Sequence, residues 1–308
     1  MEFSRGGLMR LMTCLLTFVI SISISQAAPS NQDPENLRLK YLVNYPTTTT
    51  VTGKTVTVAI IDSGVSLPAA LQENVLDGWD TFENHSSTQD KDGHGTAVAG
   101  IVLELAPNVR ILPMRAFSNE IASQKSVMDA FVRALELKAD IVNCSCSFTE
   151  EFLKKLRDNV GKDLFQRTLL VFAGGNDGAY AHEFTEAWGN VLIVGASSLT
   201  SYKSLPGYSR KGPGIDVVAP AGDINDGIAT YALTGDLRLF NGTSAAAPVV
   251  SSAAALLKEM NPAFTGEELK SEILRKSCSY DLLKSSVKEG RTLNVGRLLG
   301  LSSSCKPL

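Results

Sequence analysis

Thr55-Val56-Thr57-Val58-Ala59-Ile60-Ile61-Asp62-Ser63-Gly64 decides the fold of this 308-residue chain. The run from Thr55 to Ile61 is β-branched and nearly all apolar, as expected of a strand covered on both faces in the middle of a parallel sheet. It ends on a carboxylate. Open α/β sheets bind ligands beyond the C-terminal ends of their strands. Asp62 is therefore a candidate site residue, although an aspartate before glycine is also common in plain turns. The alternation continues along the chain. Strands are expected at 109–114, 140–146, 168–173, 191–194 and 215–218, and helices at 127–138, 152–160 and 266–276. A capping box, Thr265-x-x-Glu268, opens the last helix. Residues 74–92, rich in Asp, Asn, Ser and Thr, read as a loop. The class is α/β with a mostly parallel sheet.

With 44% hydrophobic residues the chain can bury a large core, and a net charge of −3 offers no basic footprint for nucleic acid. Residues 1–27 read as a secretory signal: Arg5 and Arg10 flank the apolar Leu11 to Ile20, and Ser25-Gln26-Ala27 is a small-x-small cleavage site. Residues 28–55 form a polar, threonine-rich N-terminal segment, and 56–308 the main domain. No later stretch is long and apolar enough to span a bilayer. A secreted protein without a stable membrane anchor is expected. Beyond the signal stand Cys144, Cys146, Cys278 and Cys305, which allow three full pairings. Cys144 and Cys146 share one face of an expected strand and are poorly placed to bond each other. Cys278 and Cys305 flank the last segment and are expected to form a disulfide in an oxidising compartment.

Three further stretches carry chemistry. Asn241-Gly242-Thr243-Ser244-Ala245-Ala246-Ala247-Pro248 opens a long run of small apolar residues. Pro248 is tolerated near a first helical turn, so a buried helix is expected to start near Ser244. A serine there sits beside unpaired N–H groups in a field that favours anions; the plain alternative is a helix cap. Asp92-Gly93-His94-Gly95-Thr96-Ala97-Val98-Ala99-Gly100 is a second small-residue helix start, with His94 at its head. The other two histidines, His85 and His182, lie in polar loop sequence. Gly93-x-Gly95 does not continue as a dinucleotide fingerprint, because Val98 stands where the third glycine belongs and no strand leads directly in. Ala173-Gly174-Gly175-Asn176-Asp177-Gly178 is a tight turn at the sheet edge, where Asn is often structural.

Taken with Ile61-Asp62-Ser63-Gly64, the stretches around His94 and Ser244 resemble, in order, the three active-site signatures of the subtilisin-like serine proteases. The turn around Asn176 is similar to the family's oxyanion-asparagine turn. The likeness extends to Tyr208-Ser209 and to Pro213-Gly214-Ile215-Asp216-Val217-Val218-Ala219-Pro220, covering roughly residues 50–280. The resemblance implies a three-layer α/β/α fold, with 56–308 as its catalytic domain, and a serine endopeptidase working through an acyl-enzyme. Ser244 would be the nucleophile and His94 its general base. Asp62 would hold the imidazole tautomer, and Asn176 would donate to the oxyanion with the Ser244 N–H. Ser145 and Gly175 would contact substrate. No cofactor is expected, and the partner is a protein or peptide substrate.

Three departures from the family pattern stand out. Its Ser-Leu-Gly-Gly is matched by Ser145-Cys146-Ser147-Phe148, so the specificity pocket is reshaped. Asp177 could favour a basic substrate residue or could be a plain turn aspartate. Gly100 to Leu105 runs almost directly into Ala106-Pro107, leaving little room for the calcium loop of many relatives, so no metal site of that type is expected. Asp62 follows the cleavage site so closely that an inhibitory pro-domain is not expected within the chain, and an inhibitor or chaperone could be encoded separately. The alternative reading is a catalytically silent relative that binds peptides or another protein as a recognition module.

Overall fold

The computed structural model describes residues 39–45, 55–118 and 121–305. The expected signal and most of the N-terminal segment lie outside the described residues. Among the described residues there are thirteen strands: β1 (Thr57–Asp62), β2 (Trp79–Asp80), β3 (Arg110–Arg115), β4 (Phe117–Ser118), β5 (Ile121–Ala122), β6 (Ile141–Cys144), β7 (Leu169–Ala173), β8 (Val191–Ser197), β9 (Val217–Pro220), β10 (Ile228–Tyr231), β11 (Leu237–Phe240), β12 (Cys278–Ser279) and β13 (Arg291–Thr292). The helices are α1 (His94–Leu105), α2 (Gln124–Glu136), α3 (Glu150–Val160), α4 (Lys162–Arg167), α5 (Thr243–Met260), α6 (Gly266–Lys276) and α7 (Val295–Leu298), with short 3₁₀ turns between.

Nine strands form one sheet in the order β12-β13-β9-β8-β7-β6-β1-β3-β2. Every pairing in it is parallel except β12 with β13. β1 lies between β6 and β3 and shows why its sequence is apolar throughout. Val58 and Ile60 pack into the core layer shared with α1, α5 and α6, while Ala59 and Ile61 pack into the opposite layer with α2, α3 and α4. The molecule is thus the expected helix–sheet–helix sandwich. Residues 39–45 dock on the first layer: Leu39 and Val43 are fully buried, and the Val43 carbonyl accepts from Val295 N–H at 2.7 Å.

Some boundaries differ from the sequence reading. The loop at 74–92 holds β2, which pairs with the edge of β3; two residues are too few to give a periodic signal. The hairpin β10–β11, an antiparallel pair, was not anticipated. β6 stops at Cys144 rather than Cys146. This changes the cysteine pairing. Cys278 bonds Cys305 as expected, but Cys144 also bonds Cys146, contrary to expectation. Two residues of extended strand would hold Cα atoms about 6.5 Å apart, near the far limit for a disulfide, whereas the chain bends after Cys144 and brings them to 5.2 Å, close to the commonest disulfide separation.

Candidate active site

Three adjacent strands, β7, β6 and β1, end side by side and present Ala173, Cys144 and Asp62 at one edge of the sheet. Asp62 is fully buried. Its Oδ1 accepts from Ser63 N–H and pairs with His94 Nδ1, each at 2.8 Å. An ionised carboxylate is acceptor-only, so Nδ1 carries the proton and Nε2 is left basic. His94 Nε2 is buried without a hydrogen-bond partner. Burial pulls the His94 pKa down, but the charge and hydrogen bond of Asp62, helped by Asp92 and Asp90, outweigh it and raise the pKa above the ordinary 6.5. The Phe240 ring stands edge-on to the imidazole at 5.1 Å, which is how β11 closes over His94.

Gly95 allows this approach. A Cβ at Gly95 would lie 2.1 Å from the Gly64 carbonyl oxygen and 3.0 Å from the Asp62 Cβ, so only glycine lets α1 start against the end of β1. The loop before α1 is held by a residue the sequence reading missed. Asp90 is buried, and one oxygen accepts from Ser63 Oγ and the N–H groups of Asp92 and Gly93, all at 2.9 Å. The other accepts from Thr96 N–H at 2.9 Å and Thr96 Oγ at 2.6 Å. Asp90 thus satisfies open donors around the helix start in place of the N-cap, Gly93, which has no side chain. An aspartate placed shortly before a helix start was the available signal.

Ser244 is the second residue of α5, which packs against α1. Its N–H therefore has no intrahelical acceptor. Asn176 sits directly against this helix start. Its Oδ1 accepts from Thr243 N–H and Thr243 Oγ, each at 2.8 Å. With the oxygen committed inward, the Nδ2 group is the free end of the amide, 3.2 Å from where a Cβ of Gly242 would stand. Thr243 Oγ also accepts from Gly175 N–H at 3.1 Å. Thr243, another residue missed in sequence, thus links the Gly175-Asn176 turn to α5.

Pro248 lies inside α5, deeper than its expected first-turn position. Proline has no N–H to give to the carbonyl four residues back, which is that of Ser244. Ser145 fills the gap: its hydroxyl donates to the Ser244 carbonyl at 2.9 Å. In return, Ser244 Oγ donates to the Ser145 carbonyl at 3.2 Å. The structure therefore places Ser145 against the nucleophile candidate, and Gly175 in the turn beside it.

Asp177 does not present a free carboxylate. Both its oxygens are taken by Arg210 at 2.7 Å, and this pairing holds its pKa at about 2. Arg210 in turn lies against Gly175, with Nε 2.7 Å from the place of a Cβ there. Among the described residues one carboxylate–histidine group has metal-ligand spacing, Asp80 with Glu83 and His85. The Arg115 guanidinium already hydrogen-bonds Asp80 and lies 3.3 Å from Glu83, which makes the group an ion-pair cluster rather than a vacant metal centre.

The model of the subtilase family matches residues 53–299. The chain belongs to the subtilase family. This subtilase is 32% identical over 235 residues to the minor extracellular protease Epr of Bacillus subtilis, covering 72% of this chain and 35% of Epr. It is 29% identical over 238 residues to subtilisin BL of Lederbergia lenta, covering 72% of this chain and 83% of that one. The match to the alkaline protease of Alkalihalobacillus alcalophilus spans 59% of that protein, so the chain spans less than two thirds of the length of several relatives it matches. Among solved structures, the epidermin leader peptide processing serine protease of Staphylococcus aureus superposes with a TM-score of 0.74 at 20% identity, over 90% of this chain and 84% of that chain. The subtilase cytotoxin SubAB structure gives 0.73 at 23% identity, over 86% and 95%. Both show the shared fold.

Proposed function

We propose that this subtilase is a secreted serine endopeptidase that cleaves peptide bonds through an acyl-enzyme. The observation that carries the reading is the oriented pair Asp62–His94, with Nδ1 bonded to Asp62 and a basic Nε2 left free in a buried site. Ser244 Oγ attacks the scissile carbonyl as His94 takes its proton. The Ser244 N–H and Asn176 Nδ2 receive the developing oxyanion. The imidazolium, stabilised by Asp62, then protonates the leaving amine, and water reverses the sequence to release the acid. The substrate adds as an extended strand along residues 145–147 and 173–175, with Ser145 and Gly175 at its edge. Protein or peptide is the only partner this chemistry needs.

A fluorophosphonate probe followed by mass spectrometry tests the reading. A single adduct on Ser244, lost in His94→Ala, is the expected result, and Ser244→Ala should lose on the order of 10⁶ in kcat. Secretion is checked separately, by finding Ala28 as the N-terminus of exported protein. One observation favours the silent, peptide-binding alternative: the Ser244 hydroxyl rests on the Ser145 carbonyl rather than on His94. Resting catalytic hydrogen bonds often tighten only with substrate bound, so we favour the enzyme. A folded protein that takes up no probe would reverse that choice.

A further inference from the structure

We propose that the Cys144–Cys146 disulfide is a positioning device for the nucleophile, acting through Ser145. The inference rests on the proteolytic reading of the site. Cys144 closes β6 and is fully buried, and Cys146 is half-buried beyond the bend. Only Ser145 lies between them. The 5.2 Å Cα separation shows that the chain turns at this residue, and the bridge locks the turn. The turn aims both polar groups of Ser145 at one target. Its hydroxyl donates to the Ser244 carbonyl at 2.9 Å, and its carbonyl accepts from Ser244 Oγ at 3.2 Å.

The hydroxyl is also oriented from behind. Asn143 Nδ2 donates to Ser145 Oγ at 3.1 Å, and Asn143 Oδ1 accepts from Ser251 Oγ at 2.8 Å. This buried chain runs from α5 through β6 and back to the start of α5. A ring closed around one residue barely restricts the unfolded chain, because closure entropy grows with loop length. The effect of the bridge is therefore local to Ser145. Ser145 touches the nucleophile and holds it, which makes it a positioning residue.

A dithiol breaks this device by a balanced exchange. Two electrons cleave the Sγ–Sγ bond, two S–H groups form, and the dithiol closes to its own disulfide. The bend at Ser145 is then free to open, and the Ser244 carbonyl loses the Ser145 hydroxyl that holds the backbone of the nucleophile in place. Misplacement of a reacting group by about 1 Å can cost on the order of 10²-fold in rate.

The test uses the Cys278→Ser/Cys305→Ser variant, which keeps the Cys144–Cys146 bridge. It is measured oxidised, after dithiothreitol, and after reoxidation, for fluorophosphonate labelling of Ser244, for kcat and KM on a peptide, and for Tm. Reduction should slow labelling and kcat by about tenfold or more, with KM and Tm nearly unchanged, and reoxidation should restore both rates. Cys144→Ala/Cys146→Ala in the otherwise unchanged chain should match the reduced state. Equal rates in oxidised and reduced protein would overturn the positioning role and leave the protease reading standing. A fall in rate that only follows a fall in Tm would also overturn it, as plain destabilisation. Folded, oxidised protein that never reacts with the probe would overturn both readings.

Discussion

In the proposed mechanism His94 sets the pH behaviour. Only the neutral imidazole can take the Ser244 proton, so activity is lost as pH falls through the His94 pKa. That pKa is raised above 6.5 despite burial, through the Asp62 charge and hydrogen bond. The acid limb of kcat/KM should therefore have its midpoint above 6.5. Asp62→Asn removes both raising influences, so the limb should move to lower pH while kcat falls by roughly 10⁴; a pH–rate profile of the two proteins decides it. The proposed oxyanion donor makes a second residue-level prediction. Asn176→Ala should cost roughly 10² to 10³ in kcat. Thr243→Val removes one of two bonds that fix the Asn176 oxygen and spares the backbone one, so its loss should be smaller, about tenfold or less.

At the scale of elements, the site depends on α1 and α5 meeting the ends of β1, β6 and β7 at close range. Gly95→Ala would drive a methyl into the Gly64 carbonyl and Asp62. Overpacking of this kind costs about 1–3 kcal/mol or more, and here the strain falls on the Asp62–His94 pair. Expected are a lower Tm and a loss of kcat beyond what the stability loss explains, read from thermal melts and rates measured well below Tm. The helix α6 is the control. Thr265 caps it by accepting from Glu268 N–H while Glu268 reaches back to Thr265 N–H. Thr265→Ala should cost about 1 kcal/mol in denaturant unfolding and leave kcat unchanged.

For the whole molecule, the two disulfides differ in kind. Cys278 and Cys305 are 27 residues apart in sequence, and closing such a loop stabilises by about 3.5 kcal/mol on the chain-entropy relation. Cys144 and Cys146 are two apart, and the same relation gives only about 1 kcal/mol. Cys278→Ser/Cys305→Ser should therefore shift the denaturation midpoint strongly and kcat little, the reverse of the effect expected at Cys144 and Cys146. Metal removal gives a further global prediction. The Asp80–Glu83–His85 cluster is held by the Arg115 cation, so a chelator should leave Tm unchanged; a large drop would show a metal site.

The sequence by itself determined the α/β class with a mostly parallel sheet and, through its resemblance to the subtilisin-like proteases, singled out Asp62, His94, Asn176 and Ser244 as site candidates. The reason is that each stands in a short contiguous motif: an apolar strand that ends on a carboxylate, two small-residue helix starts, and one glycine-rich turn, and it is the resemblance of these motifs to the family's that implies a role for each. Only the tertiary structure decided what holds them. The bonds between Ser145 and Ser244 join residues 99 apart in sequence, and those between Thr243 and Asn176 join residues 67 apart. No periodicity reports such contacts. The Cys144–Cys146 bridge was misjudged because strand periodicity carries the alternation past Cys144, whereas the chain bends at Ser145 to reach a carbonyl that Pro248 leaves unpaired. The Ser145–Ser244 hydrogen bond that accompanies this bend crosses the folded core, and no local pattern encodes it.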